Sequence, residues 1–534
     1  MSKGKEVNFG NYFNLPNPGL KSYFGIVRQG NDEEYRTTFY KGKSPSEVVS
    51  GWRPHLEELS SKWPTLLEFE DDLAGKVGPL SVMKPLKDRL SDIDAYYEGI
   101  LLPSEPISSK SIADVCKEFR DVAGMHIRDE KFTVQNMKKS TNSGSPYFTK
   151  RRNVTSKTLP CRVFIDKDQR NVEQMLRLHD IWQACAVLGW RGQEGGPNKD
   201  DVKQRVVWMF PYSVNIKELQ VYQPLIELAQ RSNLVPAWVS MDAVDANITK
   251  LFDSKGGNDL VICTDFSKFD QHFGKDCQDA ARSILEHLIT GPGSEDWLRS
   301  VFPVKYMIPL AYDFGSLRFG KHGMASGSGG TNVDETLTHR ALQYEVANNK
   351  NAKLNPYSMC LGDDGVLTYP GIEVDDVVRS YTAHGLEMNE TKQYVSKQDC
   401  IYLRRWHHTD YRINDICVGV YATTRALGRL CEQERYYDPE DWGPIMVALR
   451  QLSIIENVKW HPLRDQFADY CMAGDKYRLG IDIPGFLDKI NQYAEEAIDL
   501  MPDFLGYTKS LQKNDDSPSG IQDWWIVKYL KSKA

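Results

Sequence analysis

The sequence predicts an α+β fold, and three observations carry that reading. Short apolar runs at 260–263 and on both sides of Gly362-Asp363-Asp364-Gly365 have the length of buried strands. The Asp-Gly step between the second pair of runs is a hairpin signal, so those two strands are antiparallel. Amphipathic helices are interleaved with them. Ile112, Val115, Cys116, Phe119 and Val122 mark one helix face, and Cys277, Ala280, Ala281, Ile284, Leu285 and Leu288 mark another.

With 534 residues the chain is too long for one compact core, so several domains are expected. Hydrophobic content of 41% and charged content of 26% are those of an ordinary globular protein. The start, MSKGKEVNFG, is polar and carries no signal-peptide pattern, and no apolar run has the length of a bilayer span. Ten cysteines without CxxC spacing indicate neither a disulfide framework nor a zinc site, and fit a reducing compartment. The net charge of −7 argues against a basic outer surface, though nucleic acid held in an internal channel remains compatible with it. Residues 138–162 carry seven Lys/Arg and no Asp/Glu, with Tyr147 and Phe148 available to stack on bases. The plainer alternative there is a solvated basic loop.

In chain order, residues 1–60 are rich in Gly, Asn, Pro and Tyr and are expected to be extended, packed over another domain. The turn at 141–146 lets backbone approach a phosphate chain. Lys203 and Arg205 alternate on an extended run, so both point to one face, where a pair of cations suits a triphosphate. Asp265 ends the buried 260–263 strand and needs a partner or a metal there. Asp270 follows just before a helix. Four glycines in 323–330 make a flexible loop feeding a helix N-terminus, a place for phosphate or ribose contacts. Residues 400–405 read as one short strand. Beyond about 420 the chain is helical, with Asp438 and Pro439 starting a helix that runs to about Ile455, and further helices near 462–472 and 484–500. Residues 512–520 read as a linker, and the aromatic stretch 524–530 must dock somewhere. Folding back over the product exit or active cavity is one expectation for that tail, an added helix on the helical domain the other.

The chemistry concentrates on the Asp363-Asp364 hairpin. Adjacent carboxylates repel, and a hard divalent cation between them relieves the cost. Two strands side by side bring Asp265 within reach of Asp363. Two or three carboxylates around two cations are what in-line phosphoryl transfer requires.

Together these segments resemble viral RNA-dependent RNA polymerases, most closely those of picobirnaviruses. DFSKFD resembles the first palm motif, SGSGGTN the second and LGDDG the third, in the usual order. KQRVV resembles the basic finger motif, TNSGSP the template-entry motif, GLEMNETK the lysine-bearing palm motif and CIYLRR the strand gripping the nascent 3′ end. The resemblance implies a right-hand fold with an antiparallel palm sheet flanked by helices. It divides the chain into an N-terminal extension bridging fingers and thumb (1–60), fingers (61–211), palm (212–275), fingers again (276–322), palm again (323–418), thumb (419–511) and linker with tail (512–534).

It also implies roles. Asp265 and Asp363 would bind two Mg²⁺ or Mn²⁺ ions, with Asp364 assisting. Lys392 would be the general acid. Lys203 and Arg205 would hold the triphosphate, with Lys199 a further candidate. Asp270 and Thr331 would sense the ribose 2′-hydroxyl. Ser326 and Gly327 would shape the loop under the templating base. Ser143, Gly144, Ser145, Pro146, Lys150, Arg151, Arg152, Arg404 and Arg405 would contact template or product RNA. Many relatives carry an asparagine four residues after the motif threonine. That position is Glu335 here, and Asn332 is the substitute candidate. Expected partners are RNA, ribonucleoside triphosphates and viral capsid protein, with no membrane, in the host cytoplasm or inside the virion. The rivals are a reverse transcriptase, against which the Cys360-Leu361 pair before Gly362 counts, and a non-catalytic RNA-binding or packaging protein.

Overall fold

A computed structural model describes residues 4–166, 168, 171–437, 439–500 and 518–534. In chain order, the elements that position the site are β1 (Ala186–Gln193), β2 (Lys203–Met209), α1 (Tyr212–Arg231), α2 (Met241–Ser254), β3 (Val261–Thr264) and α3 (Lys275–Leu288). There follow α4 (Thr331–Asn349), β4 (Met359–Leu361), β5 (Asp364–Leu367), β6 (Tyr394–Ser396), β7 (Asp399–Tyr402) and β8 (Arg405–His408). The helical C-terminal part contains α5 (Thr423–Cys431), α6 (Pro439–Ile455), α7 (Arg464–Ala473), α8 (Ile490–Leu500) and α9 (Trp525–Lys533).

The central sheet has the order β4-β5-β3-β6, all antiparallel. Both of its faces are covered, which is why β3 reads as a continuous apolar run rather than an alternating one. Ile262 and Leu367 pack with Val333, Leu337 and Ala341 of α4 and with the apolar stripe of α3. Val261, Cys263, Met359 and Val366 face the other way, against Val244, Ile248 and Leu251 of α2 and Cys400 and Tyr402 of β7. A second, mixed sheet holds β1 and β2 as an antiparallel hairpin, with Leu310–Asp313 parallel to β1.

Several expectations need correction. Residues 1–60 are not simply extended: Pro18–Gln29 and Pro45–Leu56 are helices, each with Pro at its first turn after an Asn17 or Ser44 cap. Ser44 and Glu47 form a reciprocal capping box. Phe9, Phe13, Leu20 and Phe24 pack with Cys185, Val187 and Ala311, while Phe39, Val48, Trp52 and Leu56 sink into the helical cluster of α5 to α9. Residues 399–408 are two strands rather than one, joined by a turn at Leu403 and Arg404, both with positive φ. The helix α6 is broken at Gly443 (φ 74°) before Pro444. Its expected cap, Asp438, and residues 512–517 of the expected linker lie outside the described residues. The described part of the tail, residues 518–534, docks on the helical C-terminal part. Ile526, Val527 and Leu530 of α9 are buried in the helical cluster, against α6, and Glu456 accepts the backbone N–H groups of Trp525 and Ile526.

Candidate active site

The β4–β5 hairpin turns at Gly362 and Asp363, between the paired residues Leu361 and Asp364. Gly362 adopts φ 58°, a conformation that suits glycine. The turn is braced from α4: Thr336 Oγ1 accepts the Gly362 N–H at 2.9 Å, and His339 Nδ1 lies 2.8 Å from the Gly362 carbonyl. Asp363 therefore stands at the tip, and Asp364 begins the strand, its Oδ2 accepting the Leu403 N–H at 2.9 Å. On β3, Thr264 pairs with Gly365, which carries the next residue, Asp265, alongside Asp364. Gln393 fixes Asp265 from behind. Its Oε1 accepts the Asp265 N–H at 2.7 Å and its Nε2 donates to the Asp265 carbonyl at 2.9 Å.

Five carboxyl groups interact here: Asp265, Asp270, Glu335, Asp363 and Asp364. Burial, then repulsion from Asp363, pushes the Asp364 carboxyl up to about 7, although the Leu403 N–H and Arg404 oppose the rise. Burial and then Asp270 raise Asp363, with Arg205 and Arg404 opposing. Burial raises Asp265 against the pull of Lys392, Lys76 and Lys203. Asp265 and Asp363 nonetheless remain accessible to solvent. Among the described residues no three Asp, Glu, His or Cys side chains form a ready-made metal-ligand set.

Lys203 and Arg205 are both exposed on β2, with Val206 and Trp208 buried on the opposite face. The glycine-rich loop is stitched to that strand: Trp208 N–H donates to the Ser326 carbonyl, and Ser326 Oγ donates to the Val206 carbonyl at 3.0 Å. Gly327 (φ 134°) lies so close that a Cβ there would stand 1.9 Å from the Trp208 carbonyl oxygen. Buried Glu218 accepts the Gly329 N–H at 3.1 Å and the Ser328 hydroxyl. Lys392, exposed on the turn Glu390–Lys392, and Arg404, on the β7–β8 turn, complete the cationic rim.

Other expected site residues are placed elsewhere. Arg405 is 9% exposed and forms a two-pronged pair with buried Asp245, at 2.8 and 3.1 Å, so it is not offered to RNA. Ser143, Gly144, Ser145 and Pro146 are buried: Ser145 Oγ donates to the Tyr12 carbonyl, and the Ser143 carbonyl accepts the first N–H of α1. Arg151 is half-buried, donating to Asn215 and lying over the Tyr212 ring, whereas Lys150 and Arg152 are exposed. Lys199 donates to the Asp32 carbonyl at 2.8 Å, on the wall of a cavity of about 720 Å³ lined by 32–38 and by residues of α5 and α6. Asn332 accepts the Trp238 indole N–H at 2.7 Å, which leaves Glu335 as the α4 residue facing Asp270.

Sequence reading missed Gln393, Glu218, His339 and Lys76, and it passed over Glu335 in favour of Asn332. A signal existed for the residues on α4. Its buried residues include Asp334, Glu335, Thr336, Thr338, His339, Arg340, Gln343 and Glu345, far more polarity than a structural core helix carries.

The model of the viral RNA-dependent RNA polymerases matches residues 108–412. The chain belongs to that family. A potential RNA-dependent RNA polymerase of human picobirnavirus is 61% identical over 526 residues, 98% of each chain. The crystal structure of the RNA-dependent RNA polymerase of a human picobirnavirus is 59% identical, with a TM-score of 0.95 over 99% of this chain and 100% of that one. That of an insertion-loop deletion mutant is 57% identical, with a TM-score of 0.93 over 99% of this chain and 100% of that one. The polymerase therefore copies RNA from ribonucleoside triphosphates, and the reverse-transcriptase and non-catalytic readings fall away. Among the described residues of this polymerase no helix is long and apolar enough to cross a membrane.

Proposed function

We propose that Asp265 and Asp363 of this polymerase hold two divalent cations, Mg²⁺ or Mn²⁺, with Asp364 supporting from the edge. The carrying observation is the register that sets Asp265 beside the Asp363-Asp364 turn. The donor set fits hard cations: it is all oxygen, and each carboxyl is raised by burial, Asp363 and Asp364 also by a neighbouring carboxylate, a cost that positive charge relieves. When bound, the ions would acidify the attacking 3′-hydroxyl and neutralise charge on the departing pyrophosphate.

The chain's own residues do the rest. Lys203 and Arg205 receive the triphosphate, and Arg404 adds charge near Asp363. Lys392 delivers a proton to the leaving pyrophosphate. Asp270 and Thr331 face the ribose, and the Ser326–Gly327 loop supports the templating base. Lys150 and Arg152 hold template phosphates. The likeness to picobirnavirus enzymes supports work beside capsid protein, in the host cytoplasm or inside the virion. The division into fingers, palm, thumb and tail follows the same likeness.

The test is nucleotide incorporation on a defined single-stranded RNA. Asp363→Ala is expected to abolish incorporation and leave RNA binding nearly unchanged. Surviving incorporation would overturn the metal assignment.

A further inference from the structure

The glycine-rich loop is held from two sides. Ser326 ties it to β2, and the three residues that follow are tied to α1. The Gly327 carbonyl accepts from Asn215 Nδ2 at 3.4 Å, the Ser328 hydroxyl donates to Glu218 Oε2, and the Gly329 N–H donates to Glu218 Oε1 at 3.1 Å. Asn215 and Glu218 lie one turn apart on α1, 6% and 0% exposed, and Asn215 Nδ2 also donates to Glu218 Oε1 at 3.1 Å. A segment containing Gly327, Gly329 and Gly330 has little stiffness of its own, so these outside bonds set its place.

Asn215 has a second partner. Its Oδ1 accepts from Arg151 Nη2 at 2.8 Å. The amide can be placed in only one way: its oxygen meets a guanidinium, which only donates, and its NH2 meets the Gly327 carbonyl, which only accepts. Arg151 in turn closes the basic segment. Its Nη1 donates to the Lys138 carbonyl at 3.2 Å, and its backbone N–H donates to the Thr141 carbonyl at 2.9 Å. A continuous line of hydrogen bonds therefore runs from residues 138–152 through Arg151 and Asn215 to the loop. Arg151 is half-buried over the Tyr212 ring with its Nε enclosed by protein, while its neighbours Lys150 and Arg152 are exposed.

Resting on the readings of Ser326–Gly327 as support of the templating base and of Lys150 and Arg152 as template contacts, we infer that Arg151 and Asn215 are positioning residues. They fix the loop to the segment that carries the template, so the templating base and the strand leading to it share one frame. Lys150 and Arg152 supply affinity for RNA, and Arg151 between them supplies placement. Placement shows in nucleotide selection, because a templating base that shifts takes matched and mismatched partners more evenly.

The experiment is single-nucleotide incorporation by the full chain on a primed RNA template, with the matched and one mismatched ribonucleotide. RNA affinity is measured alongside across a KCl series. The proteins are wild type, R151M, N215A, R151M/N215A and K150A/R152A. Met keeps the bulk over Tyr212 and removes every donor, so R151M decides the matter even where N215A fails to fold. R151M is expected to keep RNA affinity within about twofold and its salt slope unchanged. Its kcat for the matched nucleotide and its matched-to-mismatched ratio of kcat/KM are each expected to fall at least about fivefold. N215A is expected to do the same, and R151M/N215A to match N215A, because Arg151 acts through Asn215. K150A/R152A is expected to weaken RNA binding and lower the salt slope by about two.

A salt slope lowered by about one in R151M, with weaker RNA binding, would make Arg151 a phosphate contact and overturn the inference. So would wild-type kcat and selection in R151M, or additive losses in the double variant. A lower kcat with unchanged selection, in R151M and N215A alike, would support the tie and overturn the templating-base reading of the loop. Unchanged affinity and slope in K150A/R152A would overturn the template reading of Lys150 and Arg152.

Discussion

Thr264 pairs with Gly365 across the central sheet, and that one register brings Asp265 alongside Asp364 while Asp363 occupies the turn beyond. The three carboxylates are therefore not equivalent. Asp265 and Asp363 reach solvent, whereas Asp364 is tied to the Leu403 N–H. Steady-state incorporation kinetics should separate them. Asp265→Asn is expected to cost at least about a thousandfold in kcat, and Asp364→Asn about ten- to a hundredfold. Equal losses at both positions would contradict the edge role of Asp364.

Gly327 meets the Trp208 carbonyl at a φ of 134°. Gly327→Ala must push the loop off β2, displacing Ser326 and the start of α4. We expect a loss of about a hundredfold in incorporation, with a thermal midpoint lowered by a few degrees. Activity within about threefold of wild type would show that the loop need not touch β2.

Arg404 and Arg405 are neighbours with opposite surroundings. Arg404 interacts with Asp363 and Asp364, and Arg405 is locked on Asp245. Arg405→Ala leaves Asp245 buried and unpaired, so it is expected to destabilise the fold by about 3–5 kcal/mol in denaturant unfolding. Arg404→Ala should leave unfolding nearly unchanged and raise KM for nucleotide. The reverse pattern would refute both placements.

Glu432 is buried where Glu432–Gln433 pairs with Tyr35–Arg36, beside Glu34. Burial, then contact with Glu34, pushes its carboxyl up to about 9. The fold thus holds a proton that the unfolded chain releases near its ordinary value. That stabilisation is complete below the unfolded pKa and is lost as pH rises through about 9. Glu432→Gln cannot ionise. Its thermal midpoint should gain on wild type by a few degrees between pH 5 and pH 9. A difference that stays flat across that range would show that Glu432 is not held protonated.

Local order is written in the residue pattern itself. The apolar runs, the glycine-bracketed hairpin and the helical stripes are patterns of a few neighbouring residues, and β3, the β4–β5 hairpin and α3 follow them, although the turn falls at Gly362-Asp363 and the Asp364-Gly365 step lies in β5. The helices at 18–29 and 45–56 are also encoded locally, in Asn17, Ser44 and the prolines after them, beneath a composition that suggests loops. The placement of Asp265, Asp363, Lys203 and Arg205 follows from strand ends and alternation.

Pairing was decided in three dimensions. Arg405 meets Asp245 across 160 residues, Lys199 meets Asp32 across 167, and Gln393 meets Asp265 across 128. A cation looks the same in sequence whether it is free for RNA or spent on a buried carboxylate. Only the folded chain, which must satisfy each polar group it removes from water, distinguishes the two, and it is also what turns Glu335 rather than Asn332 toward Asp270.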